Sequence, residues 1–126
     1  MAETYSEIAL DHFRNPRNAG TMQNADGAAS VENPASGAVV SFQLRIVDER
    51  VVCAKFQAQG CTATIAAASA LTEMVSGLPV AAAGAVTRAD VDARLGGLPP
   101  TRRHAAALAR DALTAAIADF RTRVGA

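Results

Sequence analysis

Apolar residues recur along the chain at two different periods, and the places where the period changes divide it into elements. Tyr5, Ile8, Ala9 and Phe13 fall at helical spacing and Asn15-Pro16 stops the pattern, so residues 4–14 predict a short docking helix. The next stretch, NAGTMQNADGAASVENPASGA, is rich in Gly, Asn, Asp and Ser, and it predicts loop with at most one short strand. Strict alternation follows: Val40, Phe42, Leu44 and Ile46 face one way, while Ser41, Gln43 and Arg45 face the other. Asp48-Glu49-Arg50 predicts the turn. A returning strand places Val52, Ala54, Phe56 and Ala58 on the core side and Cys53, Lys55 and Gln57 outward, giving an antiparallel hairpin.

Past residue 61 the period lengthens. Residues 62–76 predict a helix whose small side chains allow close approach to the sheet, closed by Gly77 with Pro79 just beyond. Thr87 and Asp90 are spaced as a capping pair, opening a short helix that Gly96-Gly97 ends. Leu98-Pro99-Pro100 is the next break. Ala109, Leu113, Ala116, Ile117 and Phe120 then share one stripe, so a helix from about residue 101 to 122 packs an apolar face on the sheet. The expected fold is α+β: a small antiparallel sheet packed on one side by helices.

Composition narrows the setting. The 126 residues suffice for one domain, taken as 1–126, with a core large enough to fold without staples. Half the residues are apolar but only 4% are aromatic, so the core must be built from closely packed Ala, Val, Leu and Ile. Twelve basic residues balance twelve acidic ones with no long basic run, which argues against nucleic acid and an anionic membrane as partners. The N-terminus lacks the basic start and apolar stretch of a signal peptide, and no apolar run reaches the roughly 18–20 residues of a membrane span, so a cytoplasmic protein is expected. Both cysteines are then read as free thiols.

Chemistry concentrates at Gln59-Gly60-Cys61-Thr62-Ala63-Thr64, where strand gives way to helix. A thiol there lies near unpaired backbone N–H groups and the positive helix end, which lower its pKa and favour the thiolate. Thiolates bind metals and attack sulfur. Cys53 points outward from a strand, and eight extended residues would set it about 26 Å from Cys61, so it reads as an incidental surface thiol. His12, beside Asp11, reads as a structural or surface histidine, whereas His104 opens the last helix beside Arg102 and Arg103. No third orienting group and no oxyanion motif accompany Cys61 and His104, so the residues themselves do not mark a hydrolase or transferase, and a binding protein is expected rather than a catalyst.

Four stretches, YSEIALDHFRNPRNAG, PASGAVVSFQLRI, AKFQAQGCTATIAAASALTEMVSG and LPPTRRHAAALARDALTAAIADF, together resemble the iron-sulfur cluster scaffold family, the IscU-type proteins and the N-terminal domain of NifU. The likeness covers nearly the whole chain in order and implies the IscU/NifU-like (SufE/NifU-type) fold. It also implies a scaffold on which iron and sulfur from a cysteine desulfurase are joined into a 2Fe-2S cluster. The family's ligands would be a Cys and an Asp in a Pro-Ala-Cys-Gly-Asp block, a Cys in a Gly-Cys block, and a His-Cys pair opening the last helix. In this chain those positions hold Ser36, Ala38, Cys61 and the pair His104-Ala105, so Cys61 and His104 remain as ligands, with Ser36 as a weak third. Leu98-Pro99-Pro100-Thr101-Arg102 resembles the family's Leu-Pro-Pro-Val-Lys block, which a dedicated Hsp70-type chaperone recognises, but Thr101 and Arg102 depart from it and argue against that recognition.

Three functions compete on this reading. The first is a divergent scaffold that holds a cluster, or a single iron or zinc ion, with a homodimer supplying two Cys61 and two His104. The second is a sulfur acceptor that takes a persulfide on Cys61 without building a cluster. The third is a regulatory binding module that kept the fold and lost the metal chemistry.

Overall fold

The computed structural model describes residues 4–125. Its elements in chain order are α1 (Glu7–Arg14), β1 (Gly27–Glu32), β2 (Val39–Val47), β3 (Arg50–Gln59), α2 (Thr62–Val75), α3 (Val80–Ala85), α4 (Arg88–Arg94), a 3-10 turn (Pro100–Arg102) and α5 (His104–Gly125). The strands form one antiparallel sheet in the order β1-β2-β3. Helices α2 and α5 cover one face of it, α2 lying over β3 and α5 over β1 and β2. This is the expected α+β architecture, with β1 as the single short strand.

The alternation of β2 survives intact: Val40, Phe42, Leu44 and Ile46 are all buried. The hairpin turns on Asp48 and Glu49, both at positive φ (51° and 61°), the left-handed pair whose twist matches the flanking strands. Arg50, expected in the turn, already opens β3. The phase of β3 departs from expectation at one point. Arg45 pairs with Cys53 but Ile46 pairs with Val51, so Val52 is an extra residue in a bulge. Val51 is fully buried and Val52 is 49% exposed, the reverse of the predicted core placement, because one inserted residue flips the face of everything on the hairpin side.

The helical core is built on alanine. Ala63, Ala66, Ala67 and Ala70 of α2 are fully buried, as are Ala105, Ala109, Ala112 and Ala116 of α5, with Leu71, Leu113 and Phe120 filling the gaps between them. Four of the five stripe positions predicted for α5 are buried, and the fifth, Ile117, packs partly buried against the core. The capping box of α4 forms as predicted, Asp90 N–H donating to Thr87 Oγ1 at 3.1 Å and Thr87 N–H to Asp90 Oδ2 at 2.9 Å. Helix α5 begins at His104 rather than near 101, because Pro99-Pro100 enters a 3-10 turn first.

The N-terminal helix docks through only part of the face its apolar residues suggest: Ala9 is buried and Tyr5 packs against the core. Ser6 caps it, accepting from Ala9 N–H at 3.0 Å, and also donates to the Leu95 carbonyl. Ala9 and His12 are buried against α2, whereas Ile8 and Phe13 are exposed. The partner surface explains this: Ser69 of α2 lies 2.8 Å from His12 Nδ1, a hydrogen bond that an apolar side chain could not make. The outer edge of β3 is paired too. Phe56 exchanges backbone hydrogen bonds with Asn18 and Gly20, and Val51 does so with Gly77 and Leu78.

Candidate functional site

Three connections meet at one end of the sheet. Strand pairing aligns Glu32 with Val39 and Val39 with Gln59, so the β1–β2 loop and the chain leaving β3 lie side by side. His104, at the start of α5, borders a shallow cleft with Asn33 and Pro34 of that loop. Arg102, in the turn just before α5, acts electrostatically on Cys61.

Cys61 is the N-cap residue of α2, half-buried, with extended backbone (φ −81°, ψ 179°). The strand can hand over to the helix here because residue 60 is glycine: its φ is +155°, and a Cβ would stand 2.6 Å from Thr64 Oγ1. That close packing sets Thr64 against the sulfur, with Oγ1 3.6 Å from Cys61 Sγ. Several influences act on the thiol. Burial, the largest, raises its pKa, but hydrogen bonding from the Thr64 side chain and from the Thr64 and Ala63 amides, together with the Arg102 charge, lowers it further, so the net shift is downward. The expected helix-end activation is therefore present, and two contributors escaped the sequence reading. Thr64 has a sequence signal, standing three positions after the cap as a capping partner does. Arg102 has none, because its approach to Cys61 is a tertiary contact.

The other expected positions sort clearly. Ser36 is exposed on the β1–β2 loop, where its Oγ accepts from Ala38 N–H at 3.2 Å. Ala38 and Ala105 are buried as part of the hydrophobic core. His104 is exposed and borders two shallow clefts, one facing Asn33 and Pro34 and one facing Arg88 and Asp92; Cys61 lines neither. Among the described residues no three or more His, Cys, Asp or Glu side chains come together as a metal-binding group. Cys53 is a free, half-buried thiol paired across the strands with Arg45, toward the other end of β3 from Cys61. His12 is structural: buried, hydrogen-bonded to Ser69, and 3.5 Å through Nε2 from Glu73. Burial, followed by the Arg17 charge, lowers its pKa. No helix among the described residues is long and apolar enough to cross a membrane.

Comparison with known proteins agrees with this frame. Residues 4–126 match the NifU-like N terminal domain. The chain is 43% identical over 116 residues to the iron-sulfur cluster assembly scaffold protein IscU 1 of Archaeoglobus fulgidus, covering 92% of this chain and 76% of that one. It is 40% identical over 123 residues to the IscU scaffold protein of Escherichia coli K12, covering 94% and 95%. Among solved structures, the N-terminal NifU-like protein of Brucella abortus superposes with a TM-score of 0.75 at 18% identity, covering 94% of each chain. FiSufU of Fervidobacterium islandicum AW-1 gives the same score at 19% identity over 90% of this chain and 96% of that one. These two show the shared fold. The sequence relatives are named as scaffold proteins and not as catalysts, in line with the expectation from sequence.

Proposed function

Because the chain belongs to the NifU-like N-terminal domain family, we propose that it acts in iron-sulfur cluster assembly as a divergent scaffold-like protein whose chemistry rests on Cys61, with His104 as a second donor. The observation that carries this reading is the half-buried Cys61 thiol at the N-cap of α2, with its pKa lowered by Thr64, Ala63 and Arg102 against the effect of burial. A lowered pKa supplies the thiolate that both iron and sulfur chemistry require.

The cargo sets a constraint. A 2Fe-2S cluster takes four protein ligands, mostly thiolates, with His able to replace Cys on one iron. One chain does not fit it: two donors remain, and the positions where the family resemblance expects the others hold a hydroxyl engaged with Ala38 N–H and two buried methyl groups. Two chains meeting at this end would bring two Cys61 and two His104. A single iron or zinc ion is the smaller cargo that the same donors suit. Anaerobic incubation with iron and sulfide tests the proposal through the visible spectrum and the iron-to-protein ratio. A chromophore near one cluster per two chains, lost in Cys61→Ala, is expected. A colourless, iron-free product from the unaltered chain refutes cluster and iron binding together.

A second reading rests on the same lowered pKa: Cys61 as acceptor of sulfur from a cysteine desulfurase. The thiolate attacks the terminal sulfur of the desulfurase persulfide; one S–S bond forms, one breaks, and the desulfurase cysteine leaves as thiolate, with no external oxidant or reductant. Incubation with desulfurase and cysteine should add one sulfur atom to Cys61, visible by mass spectrometry; an unmodified Cys61 removes this reading.

A further inference from the structure

Beyond the thiol, the seam between α4 and α5 forms an open groove of which the reading above uses only His104. Its first part is a cleft of about 540 Å³ bordered by Arg88 and Asp92 of α4, Arg103, and His104 of α5, with Ala89 and Ala106 between them. Arg88 also borders the adjoining cleft of about 450 Å³, where it faces Arg110 and Asp111 one turn further along α5. The two clefts meet at Arg88, the residue that lines both. Apart from His104, the lining residues between the charges are small, Ala89, Ala106, Ala107 and Thr87, which leaves room for an extended chain.

The charges along the groove are unevenly matched. The side chains of Arg88 and Arg103 make no hydrogen bond or ion pair among the described residues. Arg110 uses only Nε, donating to the Val86 carbonyl at 2.9 Å, which leaves both of its Nη groups available. Of the two carboxylates present, Asp92 is partly spent on Leu98 N–H at 2.8 Å. Three guanidinium groups thus line the groove. A guanidinium fork matches a carboxylate in shape and charge.

We propose that the α4–α5 groove is a docking surface for an acidic peptide segment of a partner protein, with carboxylates spaced to meet Arg88, Arg103 and Arg110. Because Arg103 adjoins Arg102, the residue whose charge acts on Cys61, such a segment would bring its protein to the same end of the fold as the thiol. The proposal does not require any chemistry at Cys61.

Fluorescence anisotropy with the full chain and a labelled peptide alternating glutamate and glycine tests it. The glutamate peptide should bind, and its lysine counterpart should not. Arg88→Gln and Arg103→Gln should each weaken binding about two- to fivefold, the size of one exposed ion pair. Asp111→Asn should tighten it, a gain that impaired folding cannot mimic. Raising ionic strength to about 0.15 M should loosen the complex, because exposed charges are then screened beyond about 8 Å. Arg121→Gln, at an ion pair with Glu49 elsewhere, serves as control and should change nothing. Absence of glutamate-peptide binding, indifference to both arginine substitutions, or equally tight competition by inorganic phosphate or a single-stranded oligonucleotide would overturn the proposal.

Discussion

Replacing Gly60 by alanine tests how the fold holds its thiol. The new Cβ would stand 2.6 Å from Thr64 Oγ1, 2.9 Å from Thr64 Cβ and 3.0 Å from Thr64 Cγ2, all below normal contact. Thr64 is 1% exposed, so it cannot swing into solvent to make room. The backbone contributes as well, since φ at residue 60 is +155°. A sparsely populated φ costs about 1–3 kcal/mol, forced overpacking about another 1–3, and the stiffer unfolded chain offsets about 0.4–1. The net loss is about 3 kcal/mol, or a fall in melting temperature of about 12 °C at this chain length. Gly77→Ala separates the two causes: its φ is +89° but its Cβ would meet nothing within 4 Å, so only the backbone component applies and the loss should be smaller. Thermal unfolding by circular dichroism reads the stability, and ultraviolet absorbance of the thiolate against pH reads the chemistry. Displacing Thr64 removes a hydrogen bond that favours the thiolate, so the Cys61 pKa should rise in Gly60→Ala and stay put in Gly77→Ala. Equal melting of the two variants, or an unmoved Cys61 pKa in Gly60→Ala, would refute the reasoning.

Two further outcomes follow from packing and charge. Burial, then the Arg17 charge, holds the His12 pKa below its ordinary value of 6.5; Arg94 acts in the same direction, while Glu73 and Asp11 oppose them. A depressed histidine pKa means the folded state favours the neutral ring, so its contribution to stability is complete above the unfolded pKa and is lost as pH falls through the folded one. Melting temperature should therefore decline on acidification below about pH 6.5, and His12→Asn should flatten that decline; parallel profiles would contradict it. At the bulge, Val52→Lys should alter stability by less than about 0.5 kcal/mol, whereas Val51→Lys should cost more than about 3 kcal/mol by burying an unpaired charge. Urea unfolding that ranks the pair the other way would restore the phase expected from simple alternation.

That bulge marks where sequence reasoning stops being sufficient. The β2 alternation, the α4 capping box and the double-proline break are local patterns, each written in a few adjacent residues, and each stands in the structure where it was read. Val52 could not be placed locally, because its face depends on which residue of β2 it is paired beside. The docking face of α1 depended likewise on Ser69, fifty-seven positions downstream of His12. Six residues at 80–85 carry no cap signal beyond Pro79 yet form α3, held by the backbone bond from Ala83 N–H to the Pro79 carbonyl. At the site, the Gly-Cys junction announced a thiol at a helix start, and even its lowered pKa was foreseeable. What the sequence withheld was company: Arg102 is brought near Cys61 only by the way the last helix is laid across the sheet.

The pairing along the outer edge of β3 has a consequence for how copies of this protein meet. Asn18 and Gly20 at one stretch, and Gly77 and Leu78 at another, already occupy backbone groups that a foreign strand would seek. On the opposite side, Ala28 N–H is taken by the Asp119 carboxylate at 2.9 Å. Edges interrupted at these points offer less template for strand addition, the route by which exposed edges recruit neighbours into open-ended aggregates. Any partner, including a second copy, is left to approach through side chains at the ends and helical faces, where contacts are finite and reversible. Such contacts favour brief meetings over permanent assembly.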